Sequence, residues 1–121
     1  MAGLADRQKI FAKNVANLIN YIFSEGYSCT FGEAYRTKEQ AELYAQSGKG
    51  ILISLHCKRL ALDLNLFSPL GEYLTDSKDY EKFGHYWEGL HKDNRSGCFF
   101  KNKKDGNHFE MKDGRWIKYS E

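Results

Sequence analysis

Cysteine, proline, surplus charge and long apolar runs are all scarce in this chain, and each shortage excludes something. Cys29, Cys57 and Cys98 are odd in number and share no CxxC spacing, which excludes a disulfide framework and a zinc ribbon and leaves reduced thiols as the expectation. No window approaches the length of a membrane span, so no membrane insertion is expected. Met1 to Arg7 hold no basic stretch followed by an apolar run, so the reading is cytoplasmic synthesis without a signal peptide. The 18 basic residues nearly cancel the 16 acidic ones, and a formal charge of +2 is too mild for a nucleic-acid surface. Lys101, Lys103 and Lys104, near Lys92 and Arg95, have the sign to attract an anionic polymer such as a cell wall, but a solvated loop is the simpler reading.

Apolar residues, by contrast, are plentiful. Hydrophobic side chains make up 41% of the 121 residues and aromatic ones 15%, enough for a packed core. No stretch of linker composition divides the chain, so residues 1–121 are read as a single domain. From Asp6 to Ser24, Ile10, Phe11, Val15, Leu18, Ile19 and Ile22 recur at helical spacing, and Gly26 follows as a stop. Ser28 to Arg36 read as a strand, and Thr37 with Gln40 as the capping box of a second helix that ends at Ser47 and Gly48. In Leu60 to Phe67, Leu60, Leu62, Leu64 and Leu66 fall on one strand face, while Ala61, Asp63 and Asn65 fall on the other, so Asp63 points away from the core. Pro69 and Gly71 mark a turn, after which Asp76 or Ser77 caps a helix bearing Tyr80, Phe83, Trp87 and Leu90. His108 and Glu110 share one strand face, Phe109 and Met111 the other, and Gly114 with Trp116 suggests a hairpin into a last strand. The sum is an α+β domain: a small antiparallel sheet with helices packed on one face and the other face open.

That open face collects metal-ligating residue types. A catalytic zinc site takes three protein ligands from His, Asp, Glu or Cys and leaves a position for water. His56, Asp63 and His108 meet the requirement, although the spacing alone is equally compatible with a surface histidine, a strand-end aspartate and a hydrogen-bonded histidine in a hairpin. Cys57 adjoins His56 but is read as a buried thiol, because neighbouring residues rarely reach one metal together. His85 and His91, six apart on one helix, lack the spacing of a helical metal pair and are read as structural.

Longer segments carry a resemblance. Ser54-Leu55-His56-Cys57-Lys58-Arg59-Leu60-Ala61-Leu62-Asp63-Leu64, followed by Asp105-Gly106-Asn107-His108-Phe109-Glu110, resembles the zinc signature of the D-Ala-D-Ala carboxypeptidase and L-alanyl-D-glutamate endopeptidase family, its phage endolysins above all. Glu33-Ala34-Tyr35-Arg36-Thr37 with Glu39-Gln40 resembles that family's strand-to-helix segment, and Gly84-His85-Tyr86-Trp87-Glu88 the helix before its final strands. The resemblance implies that His56, Asp63 and His108 ligate Zn2+ and that Asp105, three residues before the last ligand, is the general base for metal-activated water. It implies that Arg36 faces the cleft, to stabilise an oxyanion or hold a substrate carboxylate. Glu110 is read as an orienting partner of a ligand, with the base role as its alternative, and Ser54 as a hydroxyl for substrate or ligand. Lys58 or Arg59 stands where many relatives of the resembled family carry glycine, and Arg95-Ser96-Gly97 where they carry Trp-Gly-Gly.

The function implied is a bacteriolytic, zinc-dependent peptidoglycan endolysin hydrolysing the L-Ala-D-Glu bond of the stem peptide. It would be a monomer acting on the wall after release, with no separate wall-binding domain. The alternatives are a D-Ala-D-Ala carboxypeptidase or dipeptidase, and a module of the same fold that only binds wall peptides; the presence of Asp105 argues against the last.

Overall fold

The computed structural model describes residues 3–48 and 54–113. Helix α1, Leu4–Ser24, buries Phe11, Asn14, Leu18 and Ile22. Those positions recur at the three- or four-residue spacing that puts side chains on one helix face. Gly26 (φ +85) ends the helix in the left-handed region that an L side chain avoids, and Tyr27 N–H donates to Ile22 C=O at 3.2 Å. Strand β1 (Ser28–Phe31), helix α2 (Lys38–Gln46), strand β2 (Ala61–Phe67), helix α3 (Glu81–Leu90) and strands β3 (Asn94–Ser96) and β4 (His108–Met111) follow. The strands form one antiparallel sheet in the order β1-β2-β4-β3. The fold class is therefore α+β, as expected.

One sheet face is the core. Leu62, Leu64 and Leu66 of β2 are at most 5% exposed, Phe109 and Met111 of β4 are fully buried, and Leu18, Ile22, Phe83 and Trp87 of the helices complete the cluster. Each large side chain taken from water contributes about 1.5–3 kcal/mol. Trp87 sits edge-on between Phe11 (5.5 Å) and Phe109 (5.9 Å). Its buried indole N–H is shared between Arg95 C=O (3.1 Å) and Glu110 C=O (3.0 Å), so one side chain ties α3 to both β3 and β4.

Four expectations need correction. The strand read as Ser28 to Arg36 stops at Phe31. Beyond it the pairing with β2 continues only irregularly, Gly32 N–H donating to Asp63 C=O and Asp63 N–H to Glu33 C=O, and Ala34 C=O then accepts from His56 Nδ1. The helix around Trp87 begins as a 3-10 turn, Ser77–Tyr80, and Asp76 rather than Ser77 caps it by accepting from Lys78 N–H at 3.1 Å. The sequence reading found no strand at Asn94–Ser96; the strand expected after Gly114 lies outside the described residues. All four β4 residues are buried, so the face carrying His108 and Glu110 is covered there. Thr37 does cap α2, accepting from Gln40 N–H at 3.1 Å.

Gly84 shows how tightly α3 meets the sheet edge. A Cβ there would stand 2.7 Å from both Cys98 Sγ and Ser96 Oγ and 2.9 Å from Phe99. Gly84→Ala gains about 1 kcal/mol of helix propensity, but overpacking costs about 1–3 kcal/mol, and the short buried side chains of Ser96 and Cys98 have little room to yield. A lower midpoint of thermal unfolding is expected; a midpoint at or above that of the parent contradicts this packing.

Candidate metal centre

His56 comes from a short 3-10 turn, Leu55–Lys58, that precedes β2. Ser54 caps this turn, its Oγ accepting from His56 N–H at 3.2 Å. Arg59 ends it at φ 55, in the left-handed region that favours glycine, and its guanidinium lies 4.1 Å over the Tyr35 ring. Asp63 and His108 face each other across β2 and β4 as a register pair. Local chain reversal and sheet pairing thus bring together residues 45 apart, and His56, Asp63 and His108 present ligand atoms within 4.8 Å of one another.

Which atoms meet is set by the hydrogen bonds behind them. His56 Nδ1 lies 2.9 Å from Ala34 C=O, which can only accept; Nδ1 therefore donates to it, and Nε2 is the nitrogen left to face a metal. That Nε2 is 3.4 Å from Asp63 Oδ1. His108 is bound the other way round, Nε2 donating to Glu110 Oε1 at 2.7 Å and Nδ1 lying 3.2 Å from the same Asp63 oxygen. Ligands about 2.0–2.1 Å from a tetrahedral zinc are about 3.3 Å apart, so the 3.4 Å and 3.2 Å edges at Asp63 suit that ion. The three residues fit a metal site by atom type, direction and spacing.

The electrostatics agree. Burial opposes a charge on His108, but hydrogen bonds to Asp63 and Glu110 outweigh it and lift the pKa to about 9. Burial likewise opposes ionisation of Asp63, yet hydrogen bonds from His108 and His56 bring its pKa down to about 2. Without an ion, a proton on His108 takes the place of positive charge between acceptors.

Around this centre the other expected residues fall as follows. Asp105 stands on the rim, exposed overall, with its N–H bonded to Gly97 C=O (2.9 Å) and its C=O accepting from His108 N–H (3.0 Å). Protein crowding about the carboxyl raises its pKa above the ordinary range, an effect only partly offset by His108. A cavity of about 220 Å³ lined by Tyr73, Thr75, Tyr80, Lys104, Asp105 and Asn107 opens beside it. Arg36 is held by Glu33, which accepts from Nε at 3.0 Å, and by Ser54 Oγ, 3.2 Å from Nη1. Glu110 is completely buried, and its Oε1 accepts from His108 Nε2 at 2.7 Å.

Several readings fail or were missed. Cys57 is half-buried rather than buried. Arg95 does not belong with the exposed lysines, since it pairs with Glu110. Glu33 lies inside a resembling segment and went unassigned, although its carboxylate is 3.9 Å from His56 Nε2 and holds Arg36. Gly32 and Gly97 left no signal in composition: a Cβ on Gly32 would meet Asp63 Cβ at 2.9 Å, and one on Gly97 would meet Asp105 O at 2.0 Å.

Because a metal must displace the His108 proton, zinc binding should release about one proton per ion at pH 7 to 8. Its apparent Kd should fall about tenfold per pH unit until the pH reaches the His108 pKa of about 9, then level off. Calorimetric titration in buffers of different ionisation enthalpy measures this, and proton-neutral, pH-independent binding refutes the arrangement.

No family model matches the chain, and no curated protein matches it. Among solved structures it is similar to the crystal structure of the Serratia marcescens L-Ala D-Glu endopeptidase ChiX, with a TM-score of 0.60, 20% sequence identity and coverage of 70% of this chain and 67% of that one. The likeness is one of fold.

Proposed function

We propose that the chain is a zinc-dependent peptidoglycan peptidase that hydrolyses the L-Ala-D-Glu bond of the stem peptide. The observation that carries this reading is the His56, Asp63 and His108 cluster, built on a fold shared with an L-Ala D-Glu endopeptidase. His56, Asp63 and His108 would hold the ion, and a zinc ion bound there supplies Lewis acidity and lowers the pKa of water toward neutrality.

The chain's own residues do the rest. Asp105, with a pKa raised by its surroundings, is suited to accept a proton from the attacking water and return it to the leaving amine. The bond from His108 N–H to Asp105 C=O ties the backbone of Asp105 to the strand that carries His108. Arg36, oriented by Glu33 and Ser54, offers its remaining donors to the carbonyl oxygen as charge develops or to a substrate carboxylate. The cavity that Asp105 shares with Tyr73, Tyr80 and Asn107 offers room for part of a peptide next to this carboxylate. The narrower reading, a bacteriolytic phage endolysin that reaches the wall after release, is supported by the four resembling segments of the sequence.

Asp105→Asn should retain zinc yet lower hydrolysis of purified muropeptides by about 10²–10⁴. His108→Ala should lose zinc and activity together. Mass spectrometry of the products reads the bond: free L-Ala termini with D-Glu-containing peptides are expected. Release of D-Ala alone contradicts the bond assignment, and parent-rate hydrolysis by Asp105→Asn contradicts the base.

A further inference from the structure

Arg95 stands on β3 opposite Glu110 of β4 in the antiparallel register. Its Nε donates to Glu110 Oε2 at 2.8 Å, and Nη2 closes on the same oxygen. Glu110 Oε1 accepts from His108 Nε2 at 2.7 Å, and His108 Nδ1 faces Asp63. Three side chains on one sheet face therefore form a line that ends at the metal centre. Glu110 has no exposed surface, and a carboxylate so placed is tolerable only with close partners. With Oε2 taken by a planar guanidinium, Oε1 has one position from which to meet His108.

The guanidinium is itself confined. Trp87 bonds both Arg95 C=O and Glu110 C=O, which locks the two strands in register at this pair. The Phe100 ring lies 5.1 Å from Arg95 Cζ and 5.9 Å from the His108 ring, walling both. Arg95 opens the Arg95-Ser96-Gly97 run, where the chain departs from the Trp-Gly-Gly of the resembled family.

We infer that Arg95 is a positioning residue of the metal centre: through Glu110 it holds the His108 ring with Nδ1 turned toward Asp63 and thereby strengthens binding of a divalent cation. This inference rests on the zinc reading above. A wholly structural arginine would compensate the Glu110 charge and affect only folding, whereas a positioning arginine changes metal affinity in protein that remains folded.

The test is competition for Zn2+ between the whole protein and a chromophoric chelator, with thermal unfolding of the metal-free protein in parallel and the visible spectrum of the Co2+ form as a second readout. Arg95→Met should weaken Zn2+ binding about 10- to 100-fold and alter the Co2+ spectrum. Arg95→Lys, which keeps the charge without the fork, should fall between Met and the parent. Should Arg95→Met fail to fold, Arg95→Lys decides the matter: a weakened Kd supports the inference and a parental Kd overturns it. Parental Kd values in both variants overturn it whatever their melting temperatures. A parent protein that takes up no Zn2+ overturns the metal reading and this inference with it, a result distinct from failure of the variants alone.

Discussion

Three ligand-type atoms lie within 4.8 Å of one another, and in both histidines the other ring nitrogen is already held by a hydrogen bond. Ala34 C=O commits the proton of His56 to Nδ1, Glu110 commits the proton of His108 to Nε2, and Asp63 offers an oxygen between them. Acceptors crowded in this way repel unless positive charge intervenes, and the protein supplies it by protonating His108 well above neutral pH. A divalent cation satisfies the same demand with all three residues in their unprotonated forms. The opposite nitrogens used by the two histidines follow from where their backing acceptors lie.

The fold serves that convergence through close backbone approaches. Gly32 lets the end of β1 lie against Asp63, and Gly97 lets the turn after β3 press on the carbonyl of Asp105. Neither position has room for a Cβ, so these backbone segments approach more closely than any other residue would allow. Trp87 joins the apolar core to this polar face, since its indole bonds the backbone of Arg95 and Glu110 while its ring packs on Phe11 and Phe109. Core packing and ligand orientation are thus mechanically continuous.

Much of this was legible in the sequence where a local period or a cap carries it. The alternation from Leu60 to Leu66 sets Asp63 on the polar face, the helical spacing of Phe11, Leu18 and Ile22 sets α1, and Thr37 marks the start of α2. The site itself was legible only through longer resembling segments, because the spacing of His56, Asp63 and His108 does not distinguish ligands from ordinary polar residues. What escaped depends on partners distant in sequence. Arg95 looked like part of a basic loop until β3 placed it against Glu110; Glu33 gained meaning only through Arg36 and His56; Cys57 sits beside the buried His56 yet is itself half-exposed. The shortened β1 belongs to the same class, since Gly32 and Glu33 both bond Asp63 of β2 and the backbone then turns to meet His56.

The central claim is that a single divalent ion sits between His56, Asp63 and His108. Anomalous diffraction at the zinc edge from crystals grown with zinc tests it directly. A lone peak about 2.0–2.2 Å from His56 Nε2, an Asp63 carboxylate oxygen and His108 Nδ1 is expected. Zinc bound elsewhere, or a site still empty at saturating zinc with His108 joined to Asp63 through a proton, contradicts it.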